Sequence, residues 1–341
     1  MNKRSKILKI LIVIVVVILV TIIAIISSLF YYVNSKIKLM NQVEINEKEL
    51  DISENKYLEG FRNIAIFGVD SRADDYGKGN RSDCIIIASI NNKTHAIKLM
   101  SIYRDTYVQI EGHGLDKIAH AYSYGEAPLA IKTLNTNLDL NITEFVTVNF
   151  DSVANAVDAL GGVSINVAEE EISEINKYID ETAYVTGKKG KYITETGIQT
   201  LDGVQAVTYS RIRKTTGGDY KRSERIRNVI EAMIEKLKTK SISEINSIAN
   251  QILPQIYTNL SMKDLLSMIP SVTSFNVSES VGWPYNTDGA TINSIWYGIP
   301  ITLESNVVKM HKEIYEDEEY VAPSQIKIIS KKIINKSGYS Q

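Results

Sequence analysis

Cysteine and histidine are scarce: one cysteine, Cys84, and four histidines, His95, His113, His120 and His311, occur in 341 residues. A single cysteine excludes an internal disulfide, and Cys84 falls inside an apolar run, where it reads as a small buried hydrophobe rather than a nucleophile. The histidines show no HxH or HExxH spacing, which removes the usual sequence case for zinc. Neither a GxSxG elbow nor a Walker A loop occurs, so serine-hydrolase and P-loop readings have no motif behind them. An excess of one charge sign is also missing: 38 basic against 40 acidic residues, net −2, gives no general case for a nucleic-acid partner. The remaining composition, 44% hydrophobic and 23% charged, is ordinary globular protein with room for one large domain or two smaller ones.

One stretch lacks charge altogether. Ile10 to Val33 is long enough to cross a bilayer, and Lys3, Arg4, Lys6 and Lys9 precede it. The positive-inside rule then keeps residues 1–9 cytoplasmic, makes 10–33 a transmembrane signal anchor and puts the rest outside. Absence of disulfides outside a membrane fits a Gram-positive-type envelope. Residues 34–60 read as a stalk, 61–320 as the extracellular domain, and 321–341, polar and basic, as a flexible tail.

Within the domain, three apolar runs rich in β-branched residues read as strands: Asn63 to Asp70, Asp83 to Ile90 and Ala96 to Tyr103. Asn91-Asn92-Lys93-Thr94 is a turn signal that makes the second and third a hairpin, and the loop 73–80 is too short for a parallel crossover. Antiparallel pairing gathers Asp70, Arg72, Arg81, Asp83, Arg104 and Asp105 at one end of one sheet. Carboxylates beside guanidinium groups suit a divalent metal with a phosphate or diphosphate.

A second cluster follows Leu201: Arg211, Arg213, Arg222, Arg225 and Arg227, five arginines within seventeen residues. Ile226, Val229, Ile230, Met233, Ile234 and Leu237 give the following segment the period of an amphipathic helix. Arg222 and Arg225, three apart at its start, make sense there if an anion sits at the helix N-terminus, with Asp219 as a candidate cap. The strand from Thr143 to Phe150 and the helix from Val153 to Leu160, capped by Asp151 and stopped by Gly161-Gly162, read as packing scaffold. Ile242 to Val321 alternates short helices with strand-like runs and offers no charged cluster.

The chain resembles the LytR–CpsA–Psr family. The resemblance rests on the anchor, Gly68-Val-Asp70-Ser-Arg72, Arg81-Ser82-Asp83, Ser101-Ile-Tyr-Arg104-Asp105-Thr106, Leu201-Asp202-Gly203 leading to Tyr209-Ser-Arg211-Ile-Arg213, and Asp219-Tyr-Lys-Arg222-Ser-Glu-Arg225. It implies an α/β domain with a central mixed, largely antiparallel sheet flanked by helices around an apolar groove, after an N-terminal transmembrane helix. It also implies a phosphotransferase that moves a glycopolymer, such as teichoic acid or capsule, from a polyprenyl-diphosphate carrier to peptidoglycan. Asp70 and Asp83 would hold Mg²⁺, and Arg72, Arg81, Arg104, Arg211, Arg213, Arg222 and Arg225 would bind the diphosphate. Arg104, Asp105 and Asp70 are expected at the chemistry, with Asp105 as base or as the residue orienting Arg104. The competing expectations are a lipid-diphosphate hydrolase on the same site and a non-catalytic envelope regulator. Three positions depart from the family pattern: Tyr103 where proline is frequent, Glu126 after Gly125 where a second glycine is usual, and Ile226 where glutamine is common.

Overall fold

A computed structural model describes residues 41–70, 76–261, 264–265 and 268–339. The expected membrane span and Arg72 lie outside them. Asn41–Gln42 forms a short strand, β1, and Phe61–Val69 (β2), Ser82–Asn91 (β3) and Ala96–Ile102 (β4) follow where the β-branched runs place them. β2 pairs antiparallel with β3, and β3 antiparallel with β4. The side chain of Asn91 closes the turn between β3 and β4 by accepting the backbone N–H groups of Lys93 and Thr94.

Tyr107–Ile110 (β5) and Gly114–Lys117 (β6) make a small hairpin that leads into helix α1, Ile118–Leu138. The helix kinks at Gly125 and Glu126, both of which have non-helical backbone angles. Then come Glu144–Val148 (β7), Phe150–Leu160 (α2), Val163–Val167 (β8), Glu169–Val185 (α3), Gly197–Leu201 (β9) and Gly203–Arg211 (α4). Asn149, not Asp151, caps α2, exchanging a capping box with Ser152. The chain continues through Gly218–Lys238 (α5), Ile242–Ile252 (α6), Tyr257–Thr258 (β10) and Asn276–Trp283 (β11). It ends with the hairpin Thr287–Ile292 (β12) and Ile295–Pro300 (β13), then Leu303–Tyr315 (α7) and Ser324–Ser337 (α8).

Among the described residues the central sheet has seven strands in the order β1-β10-β7-β2-β3-β4-β11. Three of its pairings are parallel (β1 with β10, β2 with β7, β4 with β11), so the expected largely antiparallel sheet is corrected to an evenly mixed one. The parallel partners are supplied by later segments whose pairing no local turn signals. Period-two alternation sorts the sheet into two faces. Ala65, Phe67, Ile85, Ile87 and Met100 pack with α1, α7 and α8; Ile64, Ile86, Ala88, Ile97 and Leu99 face the other way, against Ile226, Ile230 and Ile234 of α5.

Two boundary expectations are corrected. Residues 41–60 belong to the domain rather than to a stalk, because Leu50 and Leu58 are buried in the main core and Asn135 Nδ2 donates to the Leu50 carbonyl. The expected flexible tail is helix α8, whose Ile326, Ile329 and Ile333 are buried at helical spacing. Its abundant lysines mask a narrow apolar stripe that is nevertheless there.

Candidate active site

The site grows from an irregularity in the sheet. Gly68 pairs with Cys84 but Val69 pairs with Ser82, so Asp83 is the extra residue of a β-bulge, a device that bends a strand and re-aims a side chain. Gly68 fits the close approach there, since a Cβ would meet the Cβ of Cys84 at 2.9 Å. Asp83 becomes a hub. Its Oδ1 lies 2.6 Å from Arg104 Nη1, its Oδ2 4.0 Å from Arg213 Nη2, and its carbonyl accepts Arg222 Nη2 at 3.0 Å.

Asp219 ties the second cluster to the first. It sits in the first turn of α5, where Gly217 is the cap position, and meets Arg213 Nε at 3.2 Å and Arg222 Nη2 at 3.3 Å. Burial raises its pKa above the ordinary carboxylate value, against the pull of Arg213 and Arg104. Arg211 stands at the end of α4 with its guanidinium 4.6 Å from the centre of the Phe150 ring and hydrogen bonds to Thr182 and Glu181, both at 2.9 Å. The Nε atoms of Arg104 and Arg222 are buried and have no hydrogen-bond partner among the described residues.

Asp70, Asp83, Arg104, Arg211, Arg213 and Arg222 line one cavity of about 800 Å³. Apart from Asn149 and Ser210 its other lining is apolar, including Ile66 and Val148 from the sheet, Val153, Ala156 and Leu160 from α2, Ile226, Ile230, Ile234 and Leu237 from α5, and Ile245, Ile248 and Ile252 from α6. Arg222 and Leu237 lie fifteen residues apart on α5, roughly 22 Å of helix, so the charged end and the far apolar wall are well separated. Cys84 is part of this lining; burial and the neighbouring Asp83 push its thiol up to about 12, which leaves it inert.

Several expected ligands sit elsewhere. Arg225 is fully buried, its Nε 2.6 Å from Glu171 and its other nitrogens on the Ile212 carbonyl and Thr215 Oγ1; it clamps α5 to α3 and is corrected from ligand to scaffold. Asp105 is not part of the cavity lining: Lys117 Nζ holds it at 2.7 Å, and it stands 3.9 Å from Arg104 Nε. That geometry suits the second of its two expected roles, orienting Arg104. Arg81 is exposed and off the cavity. Arg227 is pinned to β11 through Ser280 at 2.9 Å. The groove walls on α2 and α6 escape the sequence reading, which takes the first as packing and the second as featureless. The signal for α6 is the spacing of Ile245, Ile248 and Ile252, an apolar face.

A sequence model of the LytR_cpsA_psr family matches residues 27–313. The chain is 35% identical over 254 residues to the polyisoprenyl-teichoic acid–peptidoglycan teichoic acid transferase TagU of Oceanobacillus iheyensis, covering 72% of this chain and 73% of that protein. It is 32% identical over 249 residues to TagT of Bacillus subtilis, a transferase of the same description, covering 71% and 73%. A solved structure of TagT bound to LIIa-WTA superposes with a TM-score of 0.58 at 26% identity, covering 84% of this chain and 94% of that one.

Proposed function

The chain belongs to the LytR–CpsA–Psr family, and on that premise we propose that it is a phosphotransferase attaching a glycopolymer from a polyprenyl-diphosphate carrier to peptidoglycan. One observation carries the reading: a single cavity joins a mouth of four arginines and two aspartates to a long apolar channel. A diphosphate with a polyprenyl tail has the same two-part chemistry. Each five-carbon isoprene unit buried in the channel contributes on the order of 3–4 kcal/mol before ordering costs, so the tail supplies affinity and the arginines supply orientation.

In the reaction an acceptor hydroxyl of peptidoglycan attacks the glycan-side phosphorus and the bridging P–O bond breaks. The glycan is then linked to peptidoglycan by a phosphodiester, and lipid monophosphate leaves. Catalysis of this kind is positioning plus charge neutralisation. Arg104, Arg213 and Arg222 meet at Asp83, line the cavity mouth and take the phosphoryl oxygens. Lys117 and Asp105 fix the plane of Arg104 from behind. Arg211, stacked on Phe150, borders the channel entrance.

Asp70 and Asp83 fit Mg²⁺: both line the mouth, both offer hard oxygen donors, and Mg²⁺ is commonly held by one or two carboxylates plus substrate phosphates. Bound there, Mg²⁺ would add Lewis-acid neutralisation of phosphoryl charge. The uncharged run 10–33 behind a basic N-terminus supports a single-pass anchor with the catalytic domain outside the cell, where polyprenyl carriers and peptidoglycan are both within reach and nucleic acid is not.

The full-length protein, given a polyprenyl-diphosphate glycan, peptidoglycan strands and Mg²⁺, is expected to yield a glycan–peptidoglycan phosphodiester detectable by mass spectrometry. Arg104→Ala should abolish it. Glycan phosphate released without conjugate would point to a hydrolase, and tight lipid binding without turnover to a regulator.

A further inference from the structure

The hairpin of β5 and β6 and the first turn of α1 pack directly against Arg104 and Asp105. The Ala119 N–H donates to the Arg104 carbonyl at 3.1 Å, the Ile118 N–H to the Thr106 carbonyl at 2.9 Å, and Lys117 Nζ pairs with Asp105 at 2.7 Å. From there a network of aromatic and polar groups runs outward. Asp116 Oδ2 meets His120 Nδ1 at 2.9 Å and accepts the Tyr124 hydroxyl at 2.8 Å. The His113 ring lies face to face with Tyr124, centroids 4.0 Å apart and planes 9° from parallel. Tyr297 of β13 closes the inner side, its ring centre 5.7 Å from Lys117 Nζ. Arg81, beside the bulge that re-aims Asp83, is exposed, and its charge acts on the Tyr124 phenol.

The cluster is half-buried at its base and exposed at its rings. Here the polar base is fixed, with the Asp116 side chain only 17% exposed, while the rings stay open: Tyr124 is 37% exposed and His113 is exposed. Partly exposed rings beside an anchored imidazole, phenol and carboxylate match a pyranose ring, which lays its C–H face on an aromatic and hydrogen-bonds its hydroxyls at the edge. None of these residues lines the cavity assigned to the donor. Arg104 does line it, and its own backbone carbonyl anchors α1. Arg104 is therefore the junction between the donor cavity and this second surface, which is the relation an attacking group and a transferred phosphoryl group require.

We propose that the His113–Tyr124 stack, with Asp116, His120 and Lys117, is the subsite that holds the acceptor glycan of peptidoglycan beside Arg104. The proposal rests on the transferase reading and adds where the acceptor binds. Lys117 then has two roles, orienting Asp105 and bordering the sugar site.

The test uses full-length protein with three variants, Tyr124→Ala, Tyr124→Phe and His113→Ala. Three quantities are measured: the KM for uncrosslinked peptidoglycan strands, the Kd for the same strands by calorimetry, and the Kd for polyprenyl-diphosphate glycan without acceptor. Tyr124→Ala is expected to raise acceptor KM and strand Kd about ten-fold, the scale of one lost aromatic contact, while donor Kd stays within about two-fold. Tyr124→Phe keeps the ring and should recover most of the loss, and His113→Ala should fall between them. Strand Kd and KM indifferent to both alanine substitutions would overturn the subsite, as would a donor Kd that rises in parallel. The premise fails separately: wild-type protein that binds strands through Tyr124 yet forms no conjugate would sink the transferase reading and leave the subsite standing.

Discussion

Replacing Arg225 with alanine distinguishes a scaffold arginine from a substrate-binding one. Its Nε meets Glu171 at 2.6 Å, Nη1 donates to the Ile212 carbonyl at 3.2 Å and Nη2 to Thr215 Oγ1 at 2.5 Å. The arginine side chain is 0% exposed and that of Glu171 is 5% exposed, so truncation leaves a carboxylate in the interior with its cation gone. Breaking a buried pair from one side costs about 3–5 kcal/mol. At about 2–4 °C per kcal/mol for a domain of a few hundred residues, that lowers the melting temperature by about 6–20 °C. Thermal melts followed by circular dichroism read the loss directly, and donor Kd measured below the transition should stay close to wild type. Replacing both partners, Glu171→Gln with Arg225→Met, should recover part of the stability because no lone charge remains. The reasoning is refuted if Arg225→Ala melts within about 2 °C of wild type but no longer binds the polyprenyl-diphosphate donor.

Other elements give sharper local tests. Glu126 stands at φ 57° and ψ −155°, a region that costs a non-glycine residue about 1–3 kcal/mol, so Glu126→Gly should raise the melting temperature by a few degrees; a fall would show that the Glu126 side chain offsets its own strain. Ala249 faces the apolar cavity from α6, so Ala249→Trp should weaken binding of a long-chain polyprenyl diphosphate at least ten-fold and leave a water-soluble short-chain diphosphate unaffected, and equal losses for both would mean the channel does not hold the tail. Burial opposes the charge on Asp116, but His120, the Lys117 N–H and Tyr124 outweigh it and hold the carboxyl below the ordinary range. A carboxyl lowered by folding stabilises fully above its unfolded pKa and loses that contribution as pH falls through its folded one. Urea unfolding at stepped pH should therefore show the gap between wild type and Asp116→Asn shrinking on acidification; a gap that widens would contradict the assignment.

The strands β2, β3 and β4 are legible in the sequence because their pairing is local: β-branched runs, an Asn-rich turn and a short loop leave one arrangement. The same locality makes Asp83 and Arg104 legible as neighbours. The parallel partners β7 and β11 come from distant segments, and nothing near β2 or β4 announces them. Arg222 and Arg225 look equivalent in sequence, three apart at one helix start, yet one reaches the cavity and the other turns to Glu171. Only the position of α3, fixed by tertiary packing, separates them. The groove is the largest omission. Its walls come from the sheet, α2, α5 and α6, each of which shows an ordinary apolar face, and a cavity between four such faces leaves no mark that distinguishes it from a filled core. At Ile226 the missing polar residue has a structural counterpart, since the side chain joins the apolar lining one residue past Arg225.

The most direct test of the central claim is the phosphorus balance of the reaction. Phosphorus NMR of the full-length protein with polyprenyl-diphosphate glycan, peptidoglycan strands and Mg²⁺ should show the diphosphate signal replaced by one phosphodiester and one lipid monophosphate in equal amounts. Two monophosphate signals with no phosphodiester, or an unchanged diphosphate in the presence of bound protein, would contradict it.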